Sequence, residues 1–302
     1  MGGNNIRKGS DILAHIVALG VVLIWGSTFV FTKLLLINGI SAAQIFTLRF
    51  ILAYLTLLIY SVCSHRHRWM AKSLTDELKM LMLGITGGSV YFLAENSAMN
   101  YTTTTNTSLI VCACPLFTTL IIALFYKSEH ISRRQVIGTI IALIGMAAVV
   151  MNGQFVLQLS PKGDLLAFTA CMCWVVYSLL MMDVSKRYSI LFLTRKVFFY
   201  GIITIIPYFI AHPEMPELTT LMRGDILANL LYLSLVASTL CFLLWNWALK
   251  RIGVMVTTNY VYLNPVATIL FAWWIIDENI TPWLLLGTAL LLWGLYLVNK
   301  PK

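Results

Sequence analysis

Five ionisable side chains lie inside long apolar stretches: Lys33, Arg49, Glu95 and the adjacent pair Arg195 and Lys196. An ionised group in hydrocarbon is costly, so each of these needs a counter-charge, a water path or a role. Glu95 and Arg49 together could hold a zwitterion, the carboxylate on its ammonium and the guanidinium on its carboxylate. They could equally form a buried structural ion pair. Lys33 either joins them as a gating charge or stretches its alkyl stem toward an interface. Arg195 and Lys196 read as gate charges or as ordinary basic anchors at a helix end.

Uncharged polar groups are a second signal. Asn96, Asn106, Asn246, Asn259 and Asn264 also sit in apolar surroundings. An amide can read a carboxylate or an amine without the desolvation cost of a charge, or simply join two helices for about 0.6 kcal/mol. Trp25, Trp174 and Tyr177 can wall a cavity and offer a cation a π face; packing is the other reading. Trp69, Trp283 and Trp293 sit near the ends of apolar runs, as interface aromatics do.

Other chemistries lack their parts. The histidines, at 15, 65, 67, 130 and 212, lie at the ends of apolar runs or between them. No cysteine or carboxylate stands near them at metal spacing, and no buried Ser and His pair is available for a hydrolase. No phosphate loop is present, so the chain carries no ATPase of its own. Cys112 and Cys114, like Cys171 and Cys173, are two apart and point to opposite sides of a helix; they read as small packing residues. No cofactor and no metal are expected.

The elements that must position these groups follow from composition. The 302 residues are 59% hydrophobic and 11% charged, less than half the charge of a soluble domain, so lipid is the expected solvent. Apolar runs between polar breaks predict ten membrane helices at about 12–36, 42–62, 79–99, 104–126, 135–152, 163–182, 192–211, 225–249, 254–276 and 281–298. The run at 12–36 is too long for a cleavable leader and reads as a retained span. Of the 21 Lys and Arg, fifteen fall in one set of alternate connectors and at the termini, and only Lys162 and Arg223 in the other set. Short basic connectors stay in the cytoplasm. Both termini are therefore expected inside, and the net charge of +9 is a topology signal rather than a nucleic-acid surface.

A gapless offset of 150 residues lays Phe92–Ala98 over Phe242–Ala248, Asn96 over Asn246 and Pro115 over Pro265. Dropping one residue then aligns Glu129 with Glu278, Gly138 with Gly287 and Gly145 with Gly294. A register held over some 55 residues reads as a duplication, with units at 1–155 and 156–302. Each unit holds five spans, an odd number, so tandem copies must cross the membrane in opposite directions. That arrangement is typical of secondary transporters with a site between the halves. Under it Lys196 is the counterpart of Arg49 and Asp183 that of Lys33, so Asp183 and Lys196 could form a matching charge pair at the inner mouth. Trp25, Trp174 and Tyr177 fall at equivalent mid-span positions. Pro115 and Pro265 would each free a carbonyl in mid-helix and act as hinges.

Trp25-Gly26-Ser27-Thr28-Phe29 with Lys33, Leu48-Arg49-Phe50, and Pro115-Leu116-Phe117 ahead of Glu129, Gly138 and Gly145 form an ordered set. Asn264-Pro265-Val266, Asp277-Glu278, Gly287 and Gly294 repeat its later part. The set resembles the EamA-type drug/metabolite transporter superfamily over essentially the whole chain. The second half departs at its start, where no Gly follows Trp174 and Tyr177 and Ser178 replace Ser-Thr-Phe. The resemblance implies an all-α integral membrane protein, with ten helices in two inverted five-helix repeats around a central cavity. Its expected cargo is amino acids, related metabolites or drugs, often exported across a bacterial inner membrane. Protons are a candidate co-substrate, and the expected state is a monomer or weak homodimer. A passive facilitator for small solutes is the alternative, and a membrane-embedded enzyme the remoter one.

Overall fold

The computed structural model describes residues 2–64, 68–102, 104–125, 132–151, 160–213, 215–276 and 282–299. Among them every regular element is a helix. Glu129, Asp277 and Glu278 of the motif set, together with His65, His67 and His130, lie outside the described residues.

Five helices are long and apolar enough to cross a membrane: Ile12–Ile37, Ala42–Cys63, Pro161–Val184, Ile190–Ala211 and Gly224–Ile252. They match the predicted spans at 12–36, 42–62, 163–182, 192–211 and 225–249 with ends moved by at most three residues. Their boundaries have local causes. Ser41 accepts from the Gln44 amide while the Gln44 side chain accepts from the Ser41 amide, a capping box. Ser160 and Ser189 cap Pro161–Val184 and Ile190–Ala211 in the same sense. The first helix stops where Gly39 takes φ +85°. There the Ile40 amide donates to Leu35 O at 3.2 Å and the Gly39 amide to Leu36 O at 3.1 Å, the Schellman pattern.

The remaining predicted spans are helical too, but three are not regular. The span at 79–99 belongs to a helix that begins ahead of it, Leu74–Gly84, and passes through a π-helical turn, Ile85–Ser89, into Val90–Ala98. Gly224–Leu231 likewise passes through a longer π segment, Tyr232–Leu240, into Cys241–Ile252. The sequence offset of 150 carries 85–89 onto 235–239, so the two deviations are equivalent. The span at 104–126 is broken between Thr104–Val111 and Cys114–Phe125. That at 254–276 runs as Val254–Asn259, a 3₁₀ turn Tyr260–Leu263, and Asn264–Ile276. Pro115 and Pro265 are the second residues of Cys114–Phe125 and Asn264–Ile276, each just after the irregular stretch. At the start of a helix a missing N–H leaves nothing unpaired.

Helices Arg133–Met151 and Pro282–Asn299 form the most extensive helix pairing among the described residues. Glycine permits it. A Cβ on Gly138 would lie 2.7 Å from Gly294 O, and one on Gly145 would lie 2.7 Å from Gly287 O. Early residues of one helix meet late residues of the other, so the pair is antiparallel. Gly145→Leu should lower stability by about 1–3 kcal/mol through overpacking, read as a fall in melting temperature in detergent. The exposed neighbour Ile144 provides the control: Ile144→Leu should stay within about 0.5 kcal/mol.

Candidate functional site

A cavity lies where segments from both halves of the chain meet. Trp25, Thr28, Phe29, Arg49, Tyr91, Phe92, Glu95, Val111 and Cys114 line it from the first half; Trp174, Phe242, Val261 and Asn264 line it from the second. Its volume is about 30 Å³, room for one or two waters and for no metabolite.

The walls are a continuous aromatic cluster. The Trp25 ring meets Trp174 edge-on at 5.4 Å and 88°, and Trp245 at 4.9 Å. Trp174 packs against Tyr91 at 5.2 Å and stacks on Tyr177 at 5.0 Å. Such geometries add about 0.5–1.5 kcal/mol per pair beyond burial. The π segments hold this cluster in place. The Trp25 indole donates to Ala237 O, in the second π segment, at 2.9 Å. On the other side Gly87, in the first π turn, receives the Tyr177 ring. A Cβ there would lie 2.3 Å from Tyr177 Cδ2. Each half thus sends a ring onto the irregular turn of the other.

Arg49 and Glu95 both line the cavity but form no ion pair. The Arg49 Nε donates to Ser238 Oγ, also on a π segment, and its guanidinium lies 4.6 Å over the Phe92 ring. Glu95 accepts from the Tyr91 hydroxyl at 2.7 Å. A buried cation and a buried carboxylate therefore face one small space, each held by a neutral partner. Among the described residues Trp174 Nε1 and Asn264 Oδ1 have no hydrogen-bond partner, which adds one unused donor and one unused acceptor to the lining.

Other residues singled out from sequence lie elsewhere. Asn246 accepts from Tyr177 at 2.8 Å and donates to Thr194 at 3.1 Å, joining three helices. Asn96 donates to Ala42 O at 3.3 Å, and Asn259 to Met255 O within its own helix. Asn106 belongs to Thr104–Val111, and its side chain lies outside the described set. Lys33 does not reach the Glu95 carboxylate; it donates to Met99 O at 2.8 Å, near the end of helix Val90–Ala98.

The second charge cluster is paired differently from the sequence expectation. Lys196 contacts Glu77 rather than Asp183, and Glu77 also accepts from Tyr200 at 2.5 Å and from the Ala71 amide at 2.6 Å. Asp183 pairs with Lys79 at 2.5 Å and with Arg187 at 2.9 Å, while Arg187 reaches Asp76 at 2.6 Å. Asp76 accepts in addition from Tyr188 at 2.7 Å. This network ties the start of Leu74–Gly84 to the chain on either side of Ser189. Sequence reasoning missed Asp76 and Glu77 because they precede the apolar run, although two carboxylates ahead of basic anchors are a legible signal.

The hydrogen bond from Tyr188, and then the Arg187 charge, hold Asp76 below the usual carboxylate range. Burial raises Glu77, but bonds from Lys196, Tyr200 and the Ala71 amide outweigh it and leave that carboxyl low as well. A depressed carboxyl stabilises the fold above its unfolded pKa and stops doing so as pH falls through its folded value. Melting temperature should therefore drop on acidification below about pH 4. Glu77→Gln, which strands the buried Lys196, should cost about 3 kcal/mol at neutral pH. Adding Lys196→Met should restore most of it, measured by thermal unfolding in detergent.

The profile of the EamA-like transporter family matches residues 12–151 and again residues 161–300. An uncharacterized transporter of Archaeoglobus fulgidus is 27% identical over 296 residues, covering 95% of this chain and 98% of that one. A protein of Escherichia coli named as a probable amino-acid metabolite efflux pump is 25% identical over 93% of each chain. One of Streptantibioticus cattleyicolor, named as a probable terminal-alkyne amino-acid exporter, is 26% identical over 74% of each. A solved crystal structure shares the fold, with a TM-score of 0.75 at 17% identity over 95% of this chain and 96% of that one. With two profile matches spanning nearly all of its length, the chain belongs to the EamA-like transporter family and is a membrane transporter of small molecules, not an enzyme.

Proposed function

We propose that the protein exports amino acids or closely related zwitterions across a cytoplasmic membrane by alternating access. Ten helices would form two inverted five-helix units, 1–155 and 156–302, with both termini in the cytoplasm. The observation that carries this reading is the small cavity that Arg49 and Glu95 both line without pairing. A zwitterion needs an anion and a cation at a fixed separation, and a site that paired its own charges would have none to offer. The aromatic walls then accept the side chain, and the Trp25 and Trp174 faces suit an ammonium.

A cavity with room for one or two waters admits such a cargo only after the halves separate. A space this small does not fit an open pore. The π turns and the broken helices around residues 112–113 and 260–263 are where backbone can bend without stripping regular hydrogen bonds. The Glu77–Lys196 and Asp183–Lys79 contacts would lock the inner mouth in this state. Relatives named for amino-acid metabolite efflux and amino-acid export support the substrate class and the direction.

Glu95, released from an ammonium, is the group that would take a proton and couple export to a pH gradient. Proteoliposomes with labelled amino acids, with and without such a gradient, test both parts. Arg49→Gln should reduce uptake about tenfold or more, as loss of one charge-assisted bond of about 1.5–3 kcal/mol requires. Glu95→Gln should retain exchange of labelled for unlabelled substrate while losing gradient-driven accumulation. Gradient dependence that survived in Glu95→Gln would remove Glu95 as the proton carrier.

A further inference from the structure

A second cavity, of about 360 Å³, lies between helices Ala42–Cys63 and Ile190–Ala211 beneath residues 69–70. Its only wall residues shared with the inner charge network are Lys196 and Tyr200, and it has none in common with the central cavity. Tyr54, Trp69, Met70 and Phe199 supply apolar and aromatic surface, and Arg195 and Lys196 supply charge. The two cations differ in how they are satisfied. Lys196 is neutralised by Glu77. Arg195 is 3% exposed, yet no carboxylate lies within ion-pair distance of it among the described residues.

Arg195 nevertheless has defined partners. It donates to Ser61 Oγ at 2.7 Å and to the Arg68 carbonyl, and its guanidinium lies 4.9 Å from the Trp69 ring. A neutral hydroxyl and a carbonyl orient a guanidinium but leave its charge uncompensated. A planar fork fixed in this way, at the edge of a cavity, is suited to an anion of phosphate geometry. The aromatic and thioether walls beside it suit apolar matter attached to that anion. Trp69 and Met70 are exposed, so the cavity is reached from the end of the bundle where the basic connectors gather.

We propose that this cavity binds a phosphate group carried next to apolar or glycerol carbon. That is the chemistry shared by an anionic phospholipid headgroup and a soluble phosphate ester, with Arg195 as the anion ligand and Trp69 as its wall. The site is separate from the transport cavity and independent of the reading given for it.

The full-length protein in nanodiscs tests this directly. Acyl-brominated phosphatidylglycerol, doped into phosphatidylcholine, should quench Trp69 about fivefold more effectively than acyl-brominated phosphatidylcholine, the selectivity expected of one basic ligand. The Trp69 signal is obtained by difference from Trp69→Phe. Arg195→Gln should abolish the preference and Arg195→Lys should keep part of it. A parallel arm adds glycerol 3-phosphate or inorganic phosphate to protein in phosphatidylcholine alone and follows melting temperature. A rise there, absent in Arg195→Gln, assigns the site to a soluble ester, whereas selectivity confined to the lipid arm assigns it to a headgroup. Equal quenching by both lipids together with no response to soluble phosphate overturns the proposal, as does a preference that survives Arg195→Gln. If Arg195→Gln does not fold, the comparison of lipids and soluble phosphates on the wild-type chain still decides.

Discussion

A bilayer offers the backbone no hydrogen-bond partner, and this constraint governs where the chain can be irregular. Every N–H and C=O at membrane depth must be satisfied by protein, so the default is an unbroken helix. The deviations from it converge on the central cavity. Segment 232–240 presents the Ala237 carbonyl to Trp25 and the Ser238 hydroxyl to Arg49, and Gly87 in 85–89 leaves room for the Tyr177 ring. Backbone irregularity that would be costly against lipid places two acceptors in the interior.

The same constraint sorts the charges. Arg49 is held by a hydroxyl and an aromatic face, Glu95 by a phenol, Lys33 by a carbonyl and Arg195 by a hydroxyl and a carbonyl. Acid and base meet directly around Asp76, Glu77, Asp183 and Lys196, and again in the Arg223–Asp225 pair. The central charges, by contrast, have neutral hydrogen-bond partners. The division follows from desolvation: a buried ion pair neutralises itself, and a lone buried ion keeps its field.

Much of the fold was legible in sequence because span length and hydropathy report on the solvent, and lipid is an unambiguous one. Five spans came out within three residues of the observed helices. The breaks did not, because a π turn at Ile85–Ser89 has no residue signature beyond Gly87 and Gly88, and its counterpart lacks even those. Site composition was partly legible, since a charge or an indole in an apolar run stands out. Its geometry was not. Which way Asn96 and Asn246 turn depends on helix rotation, and both turned toward neighbouring helices rather than into the cavity. Ser238, the partner of Arg49, lies 189 residues away in sequence, and nothing local marks a serine as the anchor of an arginine.

The glycine contact between Arg133–Met151 and Pro282–Asn299 carries one further consequence. Under the alignment that places Gly138 on Gly287 and Gly145 on Gly294, the contact of Gly138 with Gly294 becomes the contact of Gly287 with Gly145, and the reverse. The surface is its own image, which is the defining property of an isologous interface between identical subunits. Here it lies within a single polypeptide. Each half retains a self-complementary face, and the covalent link between the halves replaces the encounter that two separate copies would need.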